Sequence, residues 1–254
     1  MPLIALLTDF GTRDGYVATM KAVIQNICPK ATIIDISHDI APQQIAEARF
    51  ILWSVYNYFP PKTIFICVVD PGVGTKRKII AVKTKQHTFL APDNGLLDLV
   101  LAESDVKQSV IVQNQKYFLK NISKTFHGRD IFSPAAAHLA NGIKLTSLGP
   151  LISLEKPQPA VINVSQKGDY HGTVIYIDRF GNLITNFRIK KIKEAELKIK
   201  ETIVYIQTTY GDANEGKLLA LTGSSGLIEI AVRNGSAREM LHVDYGTPLQ
   251  LKVK

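Results

Sequence analysis

The chain has 254 residues, of which 46% are hydrophobic and 20% are charged, a composition that is typical of a globular protein and excludes a disordered one. Its 30 lysines and arginines exceed its 22 acidic residues and give a net charge of +8, which is compatible with nucleic acid as a partner but does not require it. The two cysteines, Cys28 and Cys67, lie in apolar runs, which excludes a disulfide scaffold and favours reduced core thiols in a cytoplasmic protein.

The N-terminus shows no targeting signal. It lacks a basic segment, and Asp9 ends the first apolar run too early for a secretion signal. No window approaches the roughly 18 uncharged apolar residues of a membrane-spanning helix. We therefore expect a cytoplasmic protein with no membrane partner.

The first half of the chain alternates short β-branched apolar runs with longer amphipathic ones. The apolar runs predict strands at residues 3–7, 32–36, 63–69 and 79–82. The amphipathic runs predict helices at residues 14–28, 42–59 (opened by Pro42), 96–101 and 131–140. Strands that alternate with helices predict an α/β fold with a mainly parallel sheet covered by helices.

The pattern changes after a polar, proline-containing connection between residues 150 and 172. Short strands separated by glycine-containing turns are predicted at residues 173–177, 183–187, 202–207, 218–221, 227–232 and 248–253. We therefore predict two domains, an α/β domain at residues 1–165 and a smaller, antiparallel, barrel-like β domain at residues 166–254.

Residues 188–200 form the densest positive run of the sequence. Glu194 and Glu196 dilute the charge, and the run contains no aromatic residue that would stack on a base. The run therefore predicts a solvated helix face rather than a nucleic-acid contact.

Two aspartates follow predicted strands of the α/β domain. Asp9 comes after the first strand and Asp70 after the third, where ligands bind in open α/β sheets. Turn formation is the alternative role for each. His127 precedes Asp130, which we expect to cap the following helix, so the imidazole is predicted to face the same crevice.

Several kinds of site are disfavoured. The sequence has no G-x-G-x-x-G or P-loop pattern, which argues against nicotinamide cofactors and nucleoside triphosphates. The six histidines include no H-x-x-x-H pair, so no metal site is predicted. The loop at residues 223–226 matches a serine nucleophile elbow only loosely and lies in the β region.

Six short motifs occur together in this chain. They are residues 7–14 (LTDFGTRD), 69–75 (VDPGVGT), 91–95 (APDNG), 126–130 (FHGRD), 178–182 (DRFGN) and 223–237 (GSSGLIEIAVRNGSA). This set resembles the S-adenosyl-L-methionine (SAM) hydroxide adenosyltransferases, or adenosine-forming SAM hydrolases, relatives of the SAM-dependent fluorinating and chlorinating enzymes. The resemblance extends from about residue 3 to the C-terminus.

The resemblance implies a hydrolase that uses SAM as substrate and needs no cofactor. Water or hydroxide attacks the ribose C5′ in an SN2 substitution and displaces L-methionine, leaving adenosine. The catalytic residues that it implies are Asp70, Arg77 and His127, with Arg77 assigned from its offset of seven residues from Asp70. Either Asp70 or His127 is able to accept the proton of water, and the choice between them stays open.

The resemblance also implies substrate contacts. Asp9 matches the residue that binds the ribose hydroxyls; the other contacts are Asp178 and Ser224 at the methionine end, Asn182 with the Asn234 and Gly235 backbone at the adenine edge, and Phe180 and Tyr210 beside the ring. For the two aromatic residues, an ordinary place in the core of the β domain is the alternative. Halogenating relatives carry an arginine where this chain has Ser225, so the group that holds the substrate carboxylate stays open.

The family forms homotrimers whose sites lie between the α/β domain of one subunit and the β domain of its neighbour, and we expect the same here. A halide-dependent SAM enzyme is disfavoured because halogenating relatives lack the counterparts of Asp70 and His127, and a carboxylate repels a halide. A non-catalytic SAM or adenosine sensor is a further alternative. Nucleic-acid binding rests on net charge alone, and we expect no nucleic-acid partner.

Overall fold

The computed structural model describes residues 1–189 and 195–254. The chain divides into two compact units, Met1–Gln158 and Pro159–Lys254, which are described in turn.

The first unit is built on a six-stranded sheet. Its strands are β1 (Leu3–Thr8), β2 (Thr32–Ser37), β3 (Ile64–Val68), β4 (Ile79–Thr84), β5 (Thr88–Pro92) and β6 (Val106–Ile111), in the spatial order β2-β1-β3-β5-β4-β6. Strand β4 is antiparallel to its neighbours β5 and β6, whereas the remaining neighbours pair in parallel. The predicted mainly parallel α/β sheet is confirmed.

Helices cover this sheet. They are α1 (Tyr16–Ile27), α2 (Ile45–Val55), α3 (Asp98–Glu103) and α4 (Ser133–Ala140). Met20 of α1 and Ala136 of α4 join Leu6 of β1 in one buried cluster. The next residue, Leu7, points to the opposite face because side chains alternate along a strand, and it is also fully buried. Both faces of β1 are therefore covered.

The second unit is a mainly antiparallel β structure, with one separate parallel pair between residues 162–164 and 187–189. Its strands are β7 (Ile162–Val164), β8 (Gly168–Ile177), β9 (Leu183–Thr185), β10 (Phe187–Ile189), β11 (Ala195–Ile199), β12 (Thr202–Tyr205), β13 (Leu218–Thr222), β14 (Ile228–Val232) and β15 (Pro248–Val253), with one short helix, α5 (Ala237–Leu241). Seven of the strands form the sheet β12-β11-β15-β8-β9-β14-β13. A bridge between Ile206 and Ala220 nearly closes the sheet on itself, which gives the predicted barrel-like form.

The helix predicted at residues 188–200 is wrong in the described part of that segment. Residues 188–189 belong to β10 and residues 195–199 form β11. Residues 190–194 lie outside the described residues. In β11, Leu197 and Ile199 are buried while Lys198 is exposed, which is the two-residue period of a strand. The prediction relied on the density of positive residues and overlooked this alternation.

The second predicted helix begins later than expected. It starts at Ile45 rather than at Pro42. Gln43 adopts a left-handed backbone (φ 66°), and its N–H donates to the carboxylate of Asp9 at 2.8 Å. The backbone N–H of Gln43 is thus hydrogen-bonded to Asp9 in a non-helical conformation, and the predicted first turn of the helix does not form. No helix in the described residues combines the length and apolar character that a bilayer crossing requires.

Candidate active site

The sheet topology gathers three predicted residues at one edge. Strands β1 and β3 run in parallel, so Asp9 and Asp70, which follow them, lie at the same edge. Strand β4 runs in the opposite direction, and its first residue, Ile79, pairs with the last residue of β5, Pro92. Arg77 lies two residues before the start of β4, so this reversed strand brings it to the edge where the parallel strands end.

Asp70 and Arg77 form a buried ion pair. The Arg77 Nε donates to Asp70 Oδ1 at 3.0 Å and to Oδ2 at 2.8 Å, and Nη2 donates to Oδ2 at 2.5 Å. Their side chains are 5% and 12% exposed, respectively. Charge-assisted bonds of this forked type fix the orientation of both groups. The seven-residue offset used to assign Arg77 therefore selects the arginine that contacts Asp70.

The connecting loop depends on glycine. Gly74 has φ +77°, and a Cβ at this position would stand 2.5 Å from the carbonyl oxygen of Lys124. The loop that carries Asp70 is thereby packed directly against the segment that leads to His127. Only a residue without a side chain fits this contact and this backbone conformation.

His127 completes the cluster through Arg77. The Arg77 Nη2 lies 2.8 Å from His127 Nδ1. A guanidinium has only donors, so Nδ1 accepts, and the neutral ring carries its proton on Nε2. Burial, and secondly the charge of Arg77, hold the pKa of His127 below its ordinary value, while the nearby carboxylates and a hydrogen bond with the Ser123 backbone oppose this shift.

A π-helical turn at Gly128–Phe132 positions His127. Gly128 lies against Phe10 and Met20, where a Cβ would come within 3.1 Å of the Phe10 ring. Asp130 was predicted to cap this helix, and that prediction is wrong. Asp130 lies inside the turn, fully buried, and accepts hydrogen bonds from the Ser123 N–H at 2.7 Å and from Arg129 at 2.6 Å. It therefore ties the loop before His127 to the helix after it.

A cavity of about 400 Å³ opens beside this cluster, within the size range of small-molecule sites. Asp9, Asp70 and His127 line it together with Phe10, Tyr16, Pro42, Gln43, Val68, Pro71, Val73, Thr125, Phe126 and Gly128. The rings of Phe10, Tyr16 and Phe126 pack on one another, with centroids 5.0–5.9 Å apart. One cavity of the first unit is thus lined by Asp9, by Asp70 of the ion pair and by three packed aromatic rings.

The predicted contacts of the second unit also lie near one another. Asp178 closes its turn by accepting from the Phe180 N–H, the Asn182 N–H and the Asn182 side-chain amide, each at 2.9 Å. Gly181 of this turn packs on Ser236, and its carbonyl accepts the N–H of Arg238 at 2.9 Å. The turn that carries Asp178 and Asn182 therefore contacts the segment just after Asn234 and Gly235.

The two aromatic residues predicted to lie beside the ring, Phe180 and Tyr210, are not core residues of this unit. Phe180 is 75% exposed and Tyr210 is 44% exposed. The Tyr210 hydroxyl donates to the buried carboxylate of Glu229. Burial raises the pKa values of both groups. Sequence reasoning missed Glu229, although a single acid inside the apolar run of residues 227–232 was a usable signal.

Ser224 is exposed in the turn between β13 and β14, where the Gly226 N–H donates to the Gly223 carbonyl at 2.9 Å. In the part of the chain that the structure describes, His, Cys, Asp and Glu side chains do not form a group of three or more that would hold a metal ion.

An α/β unit with a carboxylate, a guanidinium and an imidazole in contact beside such a cavity belongs to the small-molecule-binding α/β proteins. Within that class, residues 4–149 match the family model of the SAM hydroxide adenosyltransferase N-terminal domain, and residues 172–250 match that of the C-terminal domain. The chain therefore belongs to the SAM hydroxide adenosyltransferase family.

Individual relatives agree with this membership. The chain is 34% identical over 255 residues to the (R)-S-adenosyl-L-methionine hydrolase of Thermus thermophilus, covering 98% of each protein. It is 29% identical over 224 residues to a fluorinase of an Actinoplanes species, covering 76% of this chain and 74% of the fluorinase. The crystal structure of an uncharacterized conserved protein from Thermotoga maritima superposes with a TM-score of 0.89 at 37% identity, covering 98% of this chain and 99% of that chain.

Proposed function

We propose that the protein hydrolyses SAM to adenosine and L-methionine by attack of water at the ribose C5′. The observation that carries this proposal is the contact of Asp70, Arg77 and His127 beside a cavity that Asp9 also lines. Relatives that match over nearly their whole length are named (R)-S-adenosyl-L-methionine hydrolases, which supports the same substrate here.

The proposed reaction is a single in-line displacement (SN2). A bond forms between the water oxygen and C5′ while the C5′–S bond breaks, and its electron pair stays on sulfur. The sulfonium becomes the neutral thioether of methionine, so the leaving group needs no proton. One proton of water leaves to a base and then to solvent. The site must therefore place and activate a water molecule and exclude competing nucleophiles.

Asp70 is the proposed base. The Nδ1 of His127 already accepts from Arg77, and the other ring nitrogen carries a proton, so the neutral imidazole has no free nitrogen that could accept the proton of water. The carboxylate of Asp70 keeps further lone pairs beyond those used by Arg77. Arg77 holds both partners in place and carries the positive charge of the cluster.

Asp9 is the proposed ribose-binding group. Its Oδ2 accepts the Gln43 N–H, and Asp9 lines the same cavity as Asp70. A carboxylate accepts two O–H groups from a cis-diol. In the second unit, the turns of Asp178, Asn182, Ser224 and Gly235, with Tyr210 and Phe180, are the proposed contacts for methionine and adenine.

Isotope labelling tests the reaction. The purified protein is incubated with SAM in oxygen-18 water, with and without fluoride or chloride, and the nucleoside product is analysed by mass spectrometry. Labelled adenosine in both conditions is the expected result. A 5′-halo-adenosine product would identify a halide-dependent enzyme instead, and unchanged SAM with measurable binding would identify a sensor.

The proposed assembly is a homotrimer with sites between subunits. The support is that each compact unit carries only part of the residue set. Light scattering of the active fraction is expected to give three copies, and an active monomer would refute the assembly. A cytoplasmic location is favoured by the two free, buried thiols of Cys28 and Cys67.

A further inference from the structure

His38 is a buried histidine that the proposed reaction does not use. It directly follows β2, and only 4% of it is exposed. Among the described residues that line the cavity are Asp9 and Phe10, but neither His38 nor the preceding residue of their loop, Thr8. A buried imidazole needs partners for its polar atoms, so the contacts of His38 indicate what it does.

His38 holds both ends of the loop at residues 8–11, which follows β1. Its Nδ1 lies 2.8 Å from the Thr8 hydroxyl, and its backbone carbonyl accepts the Gly11 N–H at 2.8 Å. The Thr8 hydroxyl oxygen also accepts the Phe10 N–H at 3.3 Å. Asp9 lies between these fixed points. The backbone that carries the proposed ribose-binding carboxylate is therefore tied to a residue outside the cavity.

Asp35 sets the direction of the bond between His38 and Thr8. The Nε2 of His38 lies 3.1 Å from Asp35 Oδ1, in close contact but without the alignment of a hydrogen bond, and Lys21 donates to Oδ2 at 2.6 Å. Burial opposes ionisation of Asp35, but the contacts with Lys21 and His38 outweigh it and hold the pKa of the carboxyl below its ordinary value. An ionised carboxylate has only acceptors, so it favours the proton on Nε2 and leaves Nδ1 to accept the Thr8 O–H.

The Thr8 hydroxyl has one proton, and its direction decides what the oxygen does. When this proton is donated to His38, the lone pairs of the oxygen are free to accept the Phe10 N–H. Thr8 is fully buried, so its hydroxyl cannot turn to bulk solvent for another acceptor. Loss of the Nδ1 acceptor therefore weakens the turn on both sides of Asp9.

Building on the proposed ribose-binding role of Asp9, we infer that His38 is a positioning residue for ribose recognition. Its hydrogen bond with Thr8 holds the loop at residues 8–11 in the conformation in which Asp9 meets the two ribose hydroxyls. The contact with Asp35 serves to fix the tautomer of the ring. His38 acts through the loop and does not touch the substrate.

Two nucleosides isolate this effect. Adenosine and 2′,3′-dideoxyadenosine differ only in the two ribose hydroxyls. Calorimetric titration of the wild-type protein is expected to show adenosine binding about tenfold more tightly, as hydrogen bonds to a carboxylate imply. We call this ratio of the two affinities the diol preference.

Two substitutions of His38 separate its two side-chain contacts. In His38→Asn, the side-chain oxygen takes the place of Nδ1 and is able to accept the Thr8 O–H, so the diol preference should stay within about twofold of the wild-type value. In His38→Gln, the polar atoms stand further out, near the place of Nε2, and the bond with Thr8 is lost. The diol preference of His38→Gln should fall to about threefold or less, while its affinity for 2′,3′-dideoxyadenosine stays within about twofold of the wild-type value.

Further variants test the path of the effect. Thr8→Val keeps the shape of the side chain without the hydroxyl and should lose the diol preference as His38→Gln does. The double variant should lose no more than either single variant, because both remove the same bond. His87→Gln is the matched control, since His87 is a buried histidine that precedes β5, at the end away from the cavity, and it should keep the full preference. If His38→Gln fails to fold, Thr8→Val and His38→Asn carry the test.

Three outcomes overturn the inference. They are a full diol preference in His38→Gln or Thr8→Val, an equal loss in His38→Asn and His38→Gln, and additive losses in the double variant. None of these outcomes affects the proposed function. In contrast, a wild-type protein that binds neither nucleoside, or binds both equally, would count against the ribose-binding role of Asp9 and hence against the proposed function itself.

Discussion

Replacing Arg77 by Met should show how much the ion pair between Asp70 and Arg77 contributes to the free energy of unfolding. The substitution leaves the carboxylate of Asp70, only 5% exposed, without the three close nitrogen contacts that compensate it. Breaking a buried pair by removing one partner costs about 3–5 kcal/mol, because the remaining charge is uncompensated. We therefore expect Arg77→Met to lower the free energy of unfolding by about 3 kcal/mol or more.

The double variant Asp70→Asn/Arg77→Met should recover part of this loss, because the remaining group is neutral. Urea unfolding of the wild type, both single variants and the double variant measures the coupling free energy, which we expect to be about 1.5–3 kcal/mol. Lys107→Met, which removes a cation from an exposed pair with Asp105, is the control and should change stability by less than about 1 kcal/mol. Additive effects of the two substitutions would refute the buried pair.

Three further changes have defined outcomes. Burial lowers the pKa of His87, whose ring nitrogens have no partner among the described residues, so the unfolded chain binds the proton more tightly. The free energy of unfolding should therefore fall as the pH drops below about 6.5, and the drop should be smaller in His87→Phe, as measured by urea titrations at several pH values. Asp9→Asn should weaken adenosine binding about tenfold by calorimetry, and unchanged affinity would remove Asp9 from the ribose site. Gly74→Ala should reduce both hydrolysis and thermal stability, because its Cβ would meet the Lys124 carbonyl. Gly142→Ala is the control, since Gly142 has a similar positive φ but open surroundings, and it should reduce thermal stability only. An equal loss of hydrolysis in both variants would contradict the loop contact.

Much of the fold could be predicted from the sequence because several elements have strong local patterns. Strands β1 and β3 were recognised because each is a continuous apolar run that is buried almost throughout, and α1 because its buried residues recur at three- and four-residue spacing. β6 was missed because its first half, with Val106 and Lys107 exposed, reads as polar. Strand β5 is short and ends in proline, which hides it between turns.

In the candidate site, too, some features could be predicted from local patterns and others could not. Motifs give Asp70 and His127, but the contact between them runs through Arg77 and requires the reversed direction of β4, which no local pattern contains. Asp130 was read as a cap because a π turn has no distinct sequence signal. The partner of the buried Glu229 carboxylate is Tyr210, which lies 19 residues away in sequence and could not be paired with it from local patterns. Long-range contacts were the part that sequence alone did not supply.

The role of Asp70 as the group that activates water is the central claim, and a comparison of binding with turnover tests it most directly. Asp70→Asn is predicted to bind 5′-deoxy-5′-(propylthio)adenosine, an unreactive thioether, with about wild-type affinity. It is predicted to lose about 10²–10⁴-fold in the single-turnover rate of SAM hydrolysis, the usual contribution of a general base. Asp105→Asn, which alters an exposed carboxylate, should retain the full rate. A wild-type rate in Asp70→Asn would contradict the account.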